Sequence, residues 1–81
     1  MTLELSQDIW RRRAESLEQT GHLLDAAHAY ERTAKECENF VKYIGFRDLD
    51  KAAACYDRLG MAAEAAEDRA RSAALNAAKE R

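Results

Sequence analysis

Apolar residues recur along this chain in steps of three and four, the spacing that gathers side chains on one face of an α-helix. The longest seam is Leu23, Ala27, Tyr30, Ala34, Cys37, Val41 and Ile44, and it predicts a helix from about His22 to Ile44. An earlier stripe of Ile9, Trp10, Ala14 and Leu17 predicts a first helix from Ser6 to Thr20. Ser6 suits its N-cap, and Asp8 suits the positive end of its dipole. A short third helix, from about Asp48 to Leu59, is expected to bury Leu49, Ala52, Ala53, Tyr56 and Leu59. The fourth is expected from Met61 to about Lys79. Its alanines Ala62, Ala65, Ala66, Ala70, Ala73 and Ala77 can share one broad face, with Glu64, Glu67, Asp68 and Arg71 opposite. Gly21, Gly45 and Gly60 fall where each stripe stops, where a left-handed residue ends a helix. With no proline and no alternating pattern, the expected fold class is all-α, four helices.

The same chain also matches itself. A slide of 39 positions sets Ala14 on Ala53, Gly21 on Gly60, Ala26 on Ala65, Ala27 on Ala66, Arg32 on Arg71 and Ala34 on Ala73. GHLLDAA and GMAAEAA are the core of this internal repeat, which divides residues 1–81, read as a single domain, into halves at about 6–44 and 46–79. Each half reads as an antiparallel helix hairpin.

The first half resembles a tetratricopeptide repeat. Trp10 stands at that repeat's first-helix aromatic, Ala14 at its small position, Leu17 at its large apolar position, Gly21 at its turn, Ala26 at its close-packing alanine and Tyr30 at its second-helix aromatic. The second half follows through Leu49, Ala53, Tyr56, Gly60 and Ala65, with Arg69 where an aromatic is usual. The period exceeds the family norm of about 34 residues, and the closing proline is missing. Runs such as AAHAYERTAKEC and AAACYDRLG are similar in style to the divergent hairpins of soluble NSF attachment proteins.

The resemblance implies a short right-handed solenoid and a role in binding proteins or peptides rather than catalysis. It implies a partner surface on the first helix of each hairpin, which would show Arg11, Arg12, Glu15 and Glu18, then Arg47, Asp50 and Arg58. Relatives that hold a peptide's terminal carboxylate use an asparagine where this chain has Glu15, so carboxylate-tail recognition is not expected. Repeat proteins need neighbours or polar caps to cover their end faces. Two hairpins without a cap therefore predict self-association, most simply a two-fold dimer, through Phe40, Tyr43 and Phe46 and through Ala66, Ala70, Ala73 and Ala77. The competing expectation is that Phe40 and Phe46 fold back on Tyr56 and the core.

Composition narrows the chemistry. The 81 residues carry a formal net charge of −2 with both signs interspersed, so neither nucleic acid nor an anionic membrane is the expected partner. No apolar run approaches the roughly 20 residues of a membrane span, the first residues lack a signal-peptide layout, and a cytoplasmic location is expected. Cys37 and Cys55 lie in different helices without metal-ligand spacing and read as free, partly buried thiols. Asp25 with His28, and Glu64 with Glu67, have the spacing of bundle metal ligands, but the hairpin pattern points them outward. No metal, no cofactor and no catalytic residue is expected. The consecutive Arg11, Arg12 and Arg13 point in different directions around a helix and do not make a stripe. The alternatives are a small helical regulator that uses these arginines on nucleic-acid phosphates, whose binding would fall steeply with salt, and a metal-binding helical bundle enzyme.

Overall fold

The computed structural model describes residues 6–37 and 45–79, and among them four α-helices and no strand. These are α1 (Ser6–Gln19), α2 (Leu23–Cys37), α3 (Phe46–Arg58) and α4 (Ala62–Lys79). The side chain of Ser6, expected to cap α1, and residues Phe40, Val41, Tyr43 and Ile44 of the expected long helix lie outside the described residues. Each helix packs chiefly against its neighbours in the chain, α1 on α2, α2 on α3 and α3 on α4, in a slab of 37 × 35 × 12 Å.

The two hairpin turns are built alike. At the first, the His22 N–H donates to the Leu17 carbonyl at 2.9 Å and the Gly21 N–H to the Glu18 carbonyl at 3.1 Å. At the second, Met61 donates to Tyr56 at 2.9 Å and Gly60 to Asp57 at 3.1 Å. This nested pair satisfies carbonyls that a helix end leaves open, and it needs a left-handed residue. Gly21 has φ +84° and Gly60 φ +76°. The backbone hydrogen bonds therefore recur at the 39-residue offset seen in the sequence.

Gly45 departs from the expected role. Its φ is −59°, at the N-cap of α3, and a Cβ there would stand 3.0 Å from the Ala34 carbonyl oxygen and 3.1 Å from the Ala34 Cα. What it supplies is close approach of α3 to the α2 backbone, not a left-handed turn.

Alanine dominates the core: Ala14, Ala26, Ala27, Ala52, Ala53 and Ala65 surround Tyr30, Cys55 and Tyr56, with Trp10, Leu17, Leu23 and Met61 at the margin. Small side chains let helices approach closely but bury little area each, so the two tyrosines and the marginal apolar residues supply most of the burial. Three expectations fail here. Ile9 is 50% exposed and Leu59 40% exposed. Ile9 lies beyond the Trp10–Ala14–Leu17 stripe that α2 covers, and Leu59 has passed the last turn of α3. On α4, only Ala65 of the six alanines is buried, and the expected outward residue Asp68 is 1% exposed. With α3 as its principal neighbour, α4 covers one narrow stripe, Met61, Ala65, Asp68, Ser72 and Leu75. Ser72 fixes that rotation by donating to the Phe46 carbonyl at 3.0 Å.

Candidate interaction surfaces

The face made by α1 and α3 contains the residues expected to receive a partner. Arg11 donates two hydrogen bonds to Asp48, Nε to Oδ1 at 3.1 Å and Nη2 to Oδ2 at 3.0 Å. It also reaches Asp8 at 3.3 Å and the Cys37 Sγ at 3.7 Å, so one guanidinium ties α1, the end of α2 and the start of α3. The Asp48 side chain is only 2% exposed, and a buried carboxylate held by a forked donor is the arrangement that offsets its lost hydration. The same contact holds the Arg11 pKa above its ordinary value. Farther along, Glu15 lies 3.9 Å from Lys51 and Glu18 lies 3.9 Å from Arg58. Arg11, Glu15, Glu18 and Arg58 thus meet in a seam where the two helices neutralise each other. Arg12, Arg47 and Asp50 are exposed, with the Arg47 guanidinium 5.8 Å from the centre of the Phe46 ring.

Behind that seam, both buried tyrosines end on carboxylates. Tyr30 donates to Glu18 at 2.7 Å and Tyr56 to Glu31 at 2.9 Å. Burial, then the bond to the carboxylate, pushes both phenols above their usual range. In the second half, Arg69 and Asp57 occupy the places of Tyr30 and Glu18, and they form an ion pair. Arg69, the departure from the aromatic pattern, therefore keeps the link between the helices of its hairpin and changes its chemistry.

Asp68 is the polar residue that sequence reasoning misplaced. Its Oδ2 is buried without a hydrogen-bond partner, and Oδ1 lies 3.7 Å from Arg71. Burial first, then the neighbouring Glu31 carboxylate, pushes its carboxyl up to about 7 against the opposing pull of Arg71. Cys37 and Cys55 are buried free thiols whose pKa values burial raises, so both are poor nucleophiles at neutral pH. Among the described residues, no group of three His, Cys, Asp or Glu is placed to hold a metal. Asp25, His28, Glu64 and Glu67 are exposed.

Two other surfaces stand out. The α4 alanines Ala66, Ala70, Ala73 and Ala77 are all exposed; of the other residues expected to self-associate, Phe46 is half-buried, while Phe40 and Tyr43 lie outside the described residues. A groove of about 1120 Å³ crosses the outer side of α2, from Trp10 and Leu17 on α1 to Ala74 and Leu75 on α4.

No protein family, curated protein or solved structure gives a significant match to this chain. Its surfaces must therefore be read from their own chemistry. No helix among the described residues is long and apolar enough to cross a membrane.

Proposed function

We propose that this chain is a non-catalytic interaction and assembly module of the cytoplasm, made of two tetratricopeptide-like hairpins and pairing with a second copy of itself. The observation that carries the reading is the exposed alanine face of α4. With α3 as its single principal neighbour, α4 presents small apolar residues on its open side, a surface that repeat proteins cover with a neighbouring element. Small residues let a second helix approach closely, and a two-fold operation brings the same face of another copy against it. The recurring turn bonds at Gly21 and Gly60 support the hairpin reading, because each half then offers a like surface to its neighbour.

Folding coupled to pairing makes thermal stability depend on concentration. The unfolding midpoint of the chain should rise by several degrees between micromolar and near-millimolar concentration. Ala70→Glu, which keeps helix propensity but places a charge in the face, should remove that rise. A wild-type midpoint independent of concentration would count against self-pairing.

A further inference from the structure

Helices α2, α3 and α4 each bring an ionisable side chain to one buried point. Asp68 of α4 is 1% exposed, and its Oδ2 is buried with no hydrogen-bond donor. Beside it stands the Glu31 carboxylate of α2, which accepts from the Tyr56 hydroxyl of α3 at 2.9 Å. On α4 itself, Glu67 adds negative charge and Arg71 opposes it. Arg71 neutralises Asp68 only in part, because it lies 3.7 Å from Oδ1, reaches into solvent and bonds Glu67 through Nη2 at 2.6 Å.

Two carboxylates held side by side away from water do not both ionise readily, and one of them keeps a proton. Their hydrogen bonds distinguish them. Glu31 has a donor in Tyr56 to meet its charge, whereas Asp68 Oδ2 has none. Asp68 is therefore the group that carries the proton, and ionising it sets a second buried negative charge between α4 and α2.

The other helices are held together by contacts that do not include Asp68. The Arg11–Asp48 fork and the bond from Tyr30 to Glu18 close α1, α2 and α3 on each other. α4 packs chiefly on α3, with Ala65, Asp68 and Ser72 buried. Its polar ties to α3 include the Ser72 bond to the Phe46 carbonyl at 3.0 Å and the Arg69–Asp57 ion pair. That pair is exposed and contributes little. The connection to α4 turns at Gly60, where no atom lies within 4 Å of a would-be Cβ.

We propose that α4 is a pH-gated arm, docked on α2 and α3 while Asp68 holds its proton and opening from them, about the Gly60 turn, once Asp68 ionises. The opening bares Ala65, Asp68 and Ser72 and leaves α1, α2 and α3 folded. It needs no second copy of the chain, so it stands or falls apart from the pairing proposed above.

Native-state amide exchange tests this, with protection taken as the intrinsic rate over the observed rate at the same pH. A chain concentration of about 1 μM disfavours pairing. The protection of α4 should fall about tenfold between about pH 6 and about pH 8, as follows for a carboxyl at about 7 when docked and near 3.9 when released. At the higher pH it should lie below the protection of α2. Asp68→Asn should hold α4 protection nearly level across the same range. The His28 ring stands 6.4 Å from that of Tyr56, and histidine as a class changes charge near neutral pH, so His28→Gln is the control and should retain the fall. In the wild type, the NMR shift of the Asp68 carboxyl carbon should move with the same midpoint as α4 protection, a reading that serves even if the Asn variant fails to fold.

Protection of α4 that stays level in the wild type overturns the inference, as does a fall that persists in Asp68→Asn or vanishes in His28→Gln. So does a carboxyl midpoint more than about one pH unit from that of α4 protection. Equal protection of α2 and α4 at both pH values also overturns it, because Asp68 would then act on unfolding of the whole chain and not on one arm.

Discussion

Gly21 and Gly60 hold φ +84° and +76° with no atom within 4 Å of where a Cβ would stand, so alanine there would meet backbone strain and no clash. Gly21→Ala and Gly60→Ala should each destabilise the fold by about 1–2 kcal/mol, the cost of a left-handed residue with a Cβ. Denaturant unfolding would check this, and equal losses at the two sites are expected from their like hydrogen bonds. A loss at only one would deny that the two turns are equivalent. The equivalence was legible because the left-handed cap leaves a glycine at a fixed place beside a helix start. Gly45 resembles these two in sequence and differs in cause. Its neighbour Ala34 lies 11 positions earlier, a tertiary contact that local pattern does not disclose. Asp48 was hidden for the same reason, since the Arg11 fork that makes its burial tolerable comes from 37 residues away.

At the scale of the helices, the strong stripes were readable and the weak one was not. α2 buries Ala27, Tyr30, Ala34 and Cys37 as its periodicity predicts, because tyrosine beside charged neighbours leaves one plausible inward face. In α4, alanine occurs all round the helix, and burial of so small a side chain gains too little to select a rotation. The buried Asp68 and Ser72 show which side was chosen, through contacts made by α2 and α3. Asp68 also gives this helix a pH response. Its carboxyl lies at about 7 in the folded chain and near 3.9 when unfolded, so between those values the folded chain binds the extra proton. Its contribution to stability is complete below about pH 4 and is lost as pH rises through about 7. Charged groups facing it are Glu31 on α2 with Glu67 and Arg71 on α4, and the Tyr56 phenol approaches from α3. Asp68→Asn keeps the size of the side chain and removes the ionisation. Compared by thermal unfolding, the variant should match the wild type below about pH 4 and exceed it near pH 8, by about 1 kcal/mol or more, some 4–8 °C. A wild type more stable than the variant at pH 8 would contradict this account of the buried pair.

For the molecule as a whole, the arrangement of the described residues is a row of helices in chain order. α1 leaves Ile9 50% exposed, and α4 leaves its alanines exposed. Arg11 with Asp48, Glu15 with Lys51 and Glu18 with Arg58 close the α1–α3 seam. The pattern of helices could be read from the repeat; which charges pair across helices could not, because that pairing depends on register in three dimensions. The central proposal, that a two-hairpin chain completes itself with a second copy, is tested most directly by its mass in solution. Sedimentation equilibrium at tens of micromolar should give twice the 9.2 kDa of one chain, whereas a mass of one chain across that range would contradict it.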